Sequence, residues 1–333
     1  MALRFAVGMT LVSVICYALT LPLGYLTVLM TGKLLHTDKS YMSAKESIGL
    51  LLVVSASMYA ALLISIVFIH YPLVFLLIIT LVLLRVFYMA HKGAPDILVI
   101  MLLVASSVVP MLAMQSQALA LTIVNWLVIA TALALLFTLI SFALLPGGGT
   151  NQPEIKEPSD QDAFEGAIKS LLVVMPVYMY VFVTNNPGAL LVLIFVAIIA
   201  QNTSLDHGVK AGKGLLIGNL IGGLLGIFIY NLLVVIPSLG FFALLMALTW
   251  LLIGQQAFQP GLPGQLAGRV FPAINVVLSG ALGYFSTDAA DTVYLRLLQL
   301  GLVAVYVALA FSVVESVANW FTSREKRHVQ TFR

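Results

Sequence analysis

The sequence predicts an all-α membrane protein of about twelve transmembrane helices, arranged as two parallel six-helix repeats. Three observations predict it. The 333 residues are 61% hydrophobic and only 9% charged, with a mean hydropathy of +1.09, whereas soluble domains carry about a quarter charged residues. Apolar stretches of the length that spans a bilayer, about 20 residues, follow one another along the whole chain. Landmark residues of the first half recur in the second at one spacing. A chain this apolar cannot cover itself with polar surface in water, so lipid is its expected solvent.

Proline, glycine or charge breaks the stretches. The first series covers 4–19, 21–35, 47–69, 72–88, 97–114 and 119–145. Its opening run continues through Tyr17 to Met30 with no small-x-small cleavage site, so it reads as a retained helix and not as a signal peptide. The segment 146–163, PGGGTNQPEIKEPSDQDA, is rich in Pro, Gly and acids and reads as a linker. The second series covers 164–184, 189–200, 214–236, 241–254, 270–285 and 293–321. The second segment of each series is short, as a re-entrant or strongly buried helix would be. The domains expected are therefore a first repeat at 1–145, the linker at 146–163, a second repeat at 164–321 and a tail at 322–333.

Pro22 and Pro187, Lys45 and Lys210, Gly49 and Gly214, and Pro72 and Pro237 each stand 165 positions apart. A constant offset is the mark of an internal repeat. Six spans per half is an even number, so both halves start from the same side, related by an axis along the membrane normal. With the N-terminus inside, fifteen of the sixteen Lys and Arg fall in cytoplasmic segments, and only Arg296 lies near the outer side. The positive-inside rule then places both termini and the linker in the cytoplasm. The location expected is the inner membrane of a bacterial cell.

Gly214, Gly218, Gly222 and Gly226 recur every fourth residue within the ninth segment, forming one smooth stripe on a helix. Without a hydrophobic drive between helices in lipid, close backbone approach governs packing. The stripe reads as a packing groove, or as a surface that slides during transport. Its first-half counterpart is Gly49, Val53, Ser57 and Ala61. The glycines lie inside an apolar helix with no preceding strand, so they are not a nucleotide-binding loop.

These features together resemble the fusaric acid resistance and aromatic acid exporter superfamily. The resemblance rests on an Arg-led first helix, a Pro-started short second helix, a polar cytoplasmic turn, and a basic residue leading into a helix with glycine at every fourth place. The second half carries it from Asn186-Pro187-Gly188 through Gln201-Asn202-Thr203-Ser204 to residues 213–226. The first half carries it at Arg4, at Leu21-Pro22-Leu23-Gly24 and over 45–49. The chain departs from the larger exporters in having only a short linker where they have an extended cytoplasmic domain. It also has Lys213 where Arg is usual, and no glycine ladder in its first half. The resemblance implies export of aromatic or other weakly acidic organic compounds, and pairing with a periplasmic membrane-fusion adaptor protein.

Polar residues inside the apolar stretches are the candidates for function, because ionisable groups there cost several kcal/mol and line cavities or pair up. Glu315 in the last segment is the candidate proton carrier, since a low-dielectric site raises a carboxyl pKa toward neutrality. Arg85, Asn125, Asn219 and Asn275 are candidates for the substrate path, with snorkelling to the interface the plainer reading of Arg85 and helix bridging that of the amides. Trp126 reads as an interfacial anchor. Asp288, Asp291 and Arg296 read as a surface ion pair or as acids at a helix N-terminus. Cys16 is a lone thiol in an apolar run and reads as a core residue. His36, His70, His91, His207 and His328 lack metal-ligand spacing, so neither metal nor cofactor is expected. No catalytic triad and no Walker motif is visible, and a net charge of +3 gives no reason to expect nucleic acid.

The reading that follows is a proton-driven secondary transporter, not an enzyme, whose partners are a small organic anion and the lipid bilayer. Its alternatives are a permease subunit energised by a separate ATPase, docking through the turns at 33–45 and 201–213, and a membrane assembly subunit that transports nothing. A lipid-acting membrane enzyme would need a cluster of catalytic polar groups at one interface, which the sequence does not display.

Overall fold

The computed structural model describes residues 1–36, 43–146, 159–185 and 205–282, with further positions between 192 and 200 and between 302 and 314. All regular structure among the described residues is helical. The helices are α1 (Ala2–Ala18), α2 (Gly24–Leu35), α3 (Ala44–Phe68), α4 (Pro72–His91), α5 (Asp96–Gln115), α6 (Gln117–Leu144), α7 (Asp160–Thr184), α8 (Leu205–Val235), α9 (Leu239–Ala257) and α10 (Leu262–Leu282). Seven of them are long and apolar enough to cross a membrane, α8 through its stretch Leu216–Val235. The chain is a multi-pass membrane protein.

Local chemistry sets the helix ends. Pro72 stands at the first position of α4, where its missing N–H costs nothing. The Ser159 side chain accepts from the backbone N–H of Asp162 and caps α7. Ser238 does the same for α9 through Phe241, at 3.2 Å. Asp96 lies in the first turn of α5, where a carboxylate meets the positive end of the helix dipole. Left-handed residues stop the chain after α1 (Thr20, φ 48°) and after α7 (Asn185, φ 47°). Glycines at φ +83° and +84°, Gly93 and Gly261, turn it between α4 and α5 and between α9 and α10.

Several hydroxyls within the apolar helices satisfy themselves locally. Thr10, Ser13, Thr31, Thr138 and Ser141 each donate to the carbonyl four residues back at 2.7–2.8 Å, which removes the cost of an unpaired hydroxyl in lipid.

The chain divides into two compact units. The first comprises Met1–Leu63, Gln117–Lys156 and Gly214–Leu298. Here α1 packs along α9, α2 and α6, while α10 packs on α9 and α2. Phe5, Met9, Trp250 and Phe271 lie fully buried in its core. The second comprises Ile64–Ser116, Glu157–Lys213 and Gln299–Arg333. Here α4 packs along α7 and α5, with Phe75, Leu83, Phe87 and Tyr178 fully buried. Each unit draws helices from both sides of the linker.

Most expected segments coincide with helices within a few residues. Two helices start earlier: α8 at Leu205 instead of 214, and α10 at Leu262 instead of 270. The segments at 189–200 and 293–321 lie largely outside the described residues, as does most of the linker.

Candidate functional site

The first unit buries a cation. Arg4 sits in the first turn of α1 and is only 2% exposed. Its guanidinium carbon lies 4.0 Å from the centroid of the Phe142 ring, near the end of α6. Stacking on an aromatic face is what a planar guanidinium does well. In sequence Arg4 serves only as a marker of topology, because a charge at a helix start normally reaches water. Its burial follows from helix pairing, which hydropathy does not encode.

Aromatic rings gather around the neighbouring residue. Phe5 meets Phe258 and Phe271 edge-on, with centroids 6.2 and 5.9 Å away. His36 at the end of α2 lies with Nε2 3.0 Å from the Ala257 carbonyl oxygen, at the end of α9. Glycines permit this closeness. A Cβ at Gly32 would come within 2.6 Å of the Phe271 ring, and one at Gly8 would strike Ser141 and Leu35.

The glycine ladder of α8 receives α10. A Cβ at Gly214 would overlap the Arg269 guanidinium. At Gly218 it would lie 2.5 Å from the Arg269 Cβ, at Gly222 2.5 Å from the Val270 carbonyl oxygen, and at Gly226 2.9 Å from the Val277 Cβ. Residues one turn apart on α10 thus fill successive gaps of the ladder, the close approach that small residues allow in lipid. By contrast, among the described residues nothing beyond its own helix lies within 4 Å of a Cβ at Gly49. Asn219 is half-buried one position off the ladder.

Asn275 is in the middle of α10 and 1% exposed. Its side-chain N–H donates to the Phe271 carbonyl at 3.1 Å, and its Oδ1 has no hydrogen-bond partner among the described residues. In the second unit Ser107 of α5 is likewise 1% exposed, and its Oγ has no partner among the described residues. Ser107 escaped the reading of the sequence because a serine in a helix normally bonds its own backbone.

Arg85 belongs to a cleft of about 500 Å³ in the second unit, lined by Leu81, Leu84, Arg85, Tyr88, Asp160 and Phe164. Tyr88 donates its hydroxyl to Asp160 at 2.9 Å, and Lys92 forms an ion pair with the same carboxylate. The Arg85 guanidinium lies 5.3 Å from the Tyr88 ring centroid. Arg85 continues the exposed stripe Leu73, Leu77, Leu81 at four-residue spacing.

Asn125 is exposed on α6 and accepts from the Tyr59 hydroxyl at 2.8 Å, bridging to α3. Trp126 beside it is half-buried. Glu315, Asp288, Asp291 and Arg296 lie outside the described residues. No group of three or more His, Cys, Asp or Glu side chains among the described residues is placed to hold a metal ion.

The family described as "Protein of unknown function (DUF2955)" matches residues 1–141. This stretch contains α1 to α5 and most of α6, including Arg4, Arg85 and Ser107. No curated protein and no solved structure matches the chain.

Proposed function

We propose that the chain is a secondary transporter of a bacterial inner membrane, built from two parallel repeats and exporting aromatic or other weakly acidic organic compounds at the expense of the proton gradient. The observation that carries this reading is a repeated pattern of burial. Buried Phe5, Gly8, Met9, Ser13 and Cys16 of α1 correspond, 165 positions on, to buried Ser170, Val173, Val174, Tyr178 and Val181 of α7. Phe75, Ile79, Leu83, Val86 and Phe87 of α4 correspond, 167 positions on, to Phe242, Met246, Trp250, Ile253 and Gly254 of α9. Leu103, Ala105, Ser106, Ser107 and Val109 of α5 correspond, 168 positions on, to Phe271, Ala273, Ile274, Asn275 and Val277 of α10.

Packing follows the same rule. The first helix of one series packs on the fourth helix of the other: α1 on α9, and α7 on α4. Burial register and helix pairing together support the repeat. Pseudo-symmetric repeats of this kind are a common architecture of secondary transporters, which bind substrate near the midplane.

The repeat gives Ser107 and Asn275 equivalent places on α5 and α10. In this reading each is a substrate-facing polar group of its own unit: the Asn275 Oδ1 of the first unit is an acceptor for the O–H of a protonated weak acid, and the Ser107 hydroxyl of the second unit is a donor. Arg4 supplies buried positive charge that favours the anionic form at the cytoplasmic side. Glu315 is the proton carrier. The distribution of Lys and Arg supports the inner-membrane orientation with both termini cytoplasmic.

The test measures accumulation of labelled aromatic and aliphatic weak acids in deletion and overexpressing cells, with and without a protonophore. Lower accumulation on overexpression, abolished by the protonophore and by Glu315→Gln, is expected. Equal accumulation of every acid in all strains would sink the reading.

A further inference from the structure

We propose that the Arg85 cleft seats the phosphate of a membrane phospholipid, with the lipid's acyl chain lying along the exposed stripe of α4. This inference is independent of transport, although its comparison of α4 with α9 rests on the repeat proposed above.

Position argues for it first. Leu73, Leu77 and Leu81 form an exposed apolar stripe, and Arg85 is its next member. Helix α9 keeps leucine throughout a similar stripe, with Leu244, Leu248 and Leu252 all more than half exposed. A cation therefore stands where an apolar residue serves the sister helix, on a face that lipid must cover. Depth argues next. Arg85 precedes Lys92 by seven residues, about 10 Å along a helix axis. Its long side chain spans much of that distance toward the polar end of the helix, where Tyr88, Lys92 and Asp160 gather. Tyrosine is a residue of that interfacial depth.

Chemistry argues third. The Asp160 carboxylate is engaged by Lys92 and by the Tyr88 hydroxyl. Arg85 instead lies against the Tyr88 ring, and among the described residues no carboxylate pairs with it. A guanidinium fork held beside an aromatic face is suited to two hydrogen bonds to one phosphate. Leu81, Leu84 and Phe164 complete the cleft and suit the glycerol and upper acyl carbons. Basic pockets of this kind at the membrane surface bind lipid head groups. Phosphatidylglycerol and phosphatidylethanolamine share the phosphodiester that Arg85 recognises. Asp160, largely exposed, adds a contact for the ethanolamine ammonium.

Native mass spectrometry of the purified full-length protein tests this, titrating phosphatidylglycerol, phosphatidylethanolamine and a diacylglycerol with the same chains. The wild type should retain both phospholipids in preference to the diacylglycerol. Arg85→Gln should weaken phospholipid retention about tenfold and leave diacylglycerol unchanged, while Arg85→Lys should keep an intermediate preference. Undiminished phospholipid retention by Arg85→Gln, or by Arg85→Lys if the glutamine variant does not fold, would overturn the proposal. Millimolar inorganic phosphate should not displace the lipid. Displacement would overturn the lipid as occupant and make the cleft a site for soluble anions. Loss of both phospholipids and diacylglycerol together would also overturn it, since the phosphate would then not be what Arg85 reads.

Discussion

Gly93 and Gly261 share one backbone conformation, φ +83° and +84°, and each stands two residues ahead of a proline, Pro95 or Pro263. Among the described residues, neither has an atom beyond its own chain neighbours within 4 Å of where a Cβ would lie. The demand at both places is therefore on the backbone and not on space. Alanine at a left-handed position costs about 1 kcal/mol. Gly93→Ala and Gly261→Ala should each lower the thermal midpoint in detergent, and by similar amounts. A loss at one position with no effect at the other would show that the two turns are not equivalent in the folded protein.

The ladder glycines differ from Gly49 in what surrounds them. Alanine is the better helix former by up to about 1 kcal/mol, so Gly49→Ala, with open space around it, should be neutral or slightly stabilising. Gly222→Ala would push a methyl to 2.5 Å from the Val270 carbonyl oxygen and 2.6 Å from the Ala273 Cβ. Backbone cannot yield as a flexible side chain can, so α8 and α10 must separate, at a cost of about 1–3 kcal/mol. Thermal unfolding of the two variants should move in opposite directions. A Gly222→Ala protein as stable as the wild type would show that this contact is slack.

Trp250 and Ser13 make a different sort of prediction. The indole N–H donates to the Ser13 hydroxyl at 3.2 Å, and both residues are fully buried. Ser13→Ala leaves the indole donor unsatisfied, which costs about 1–3 kcal/mol. Trp250→Phe removes the donor but also apolar volume. Ser13→Ala should therefore cost less when added to Trp250→Phe than when made alone. A double-mutant cycle on thermal stability with no coupling would show that the bond contributes nothing.

Helix existence was legible in the sequence because length and hydropathy decide it. Helix starts were less so. The Asp160 start of α7 follows from Ser159 capping Asp162, a polar signal inside what reads as linker. The early start of α10 runs through Gln265 and Arg269, which hydropathy counts against a membrane helix. The proposed repeat shows in the sequence as four landmarks 165 apart, whereas the buried positions match at 165 in α1 and α7, 167 in α4 and α9 and 168 in α5 and α10. What could not be read was which faces meet. The pairing of α1 with α9 buries Trp250 against Ser13, and tertiary packing decides that, not local pattern. Arg85 and Arg4 show the consequence. Both are arginines near helix ends, yet one lies on an exposed stripe and the other is buried under Phe142.

Asn275 separates a structural role from a functional one most sharply. Its Oδ1 is buried without a partner, and a buried acceptor left unsatisfied costs about 1–3 kcal/mol. Leucine keeps the branching at Cγ and removes the cost, although it adds volume to a packed helix. If Asn275 serves packing and its bond to the Phe271 carbonyl alone, Asn275→Leu should lower stability. If it is kept for substrate, the same change should leave stability equal or raised by about 1 kcal/mol, because active positions hold strain that packing would otherwise remove. On the transport reading, Asn275→Leu should cut export of weak acids at least tenfold while the thermal midpoint holds or rises. Asn275→Ser, which keeps an acceptor, should restore part of the export. A destabilised Asn275→Leu protein with unchanged transport per folded molecule would remove Asn275 from the substrate path and leave it a packing role within α10.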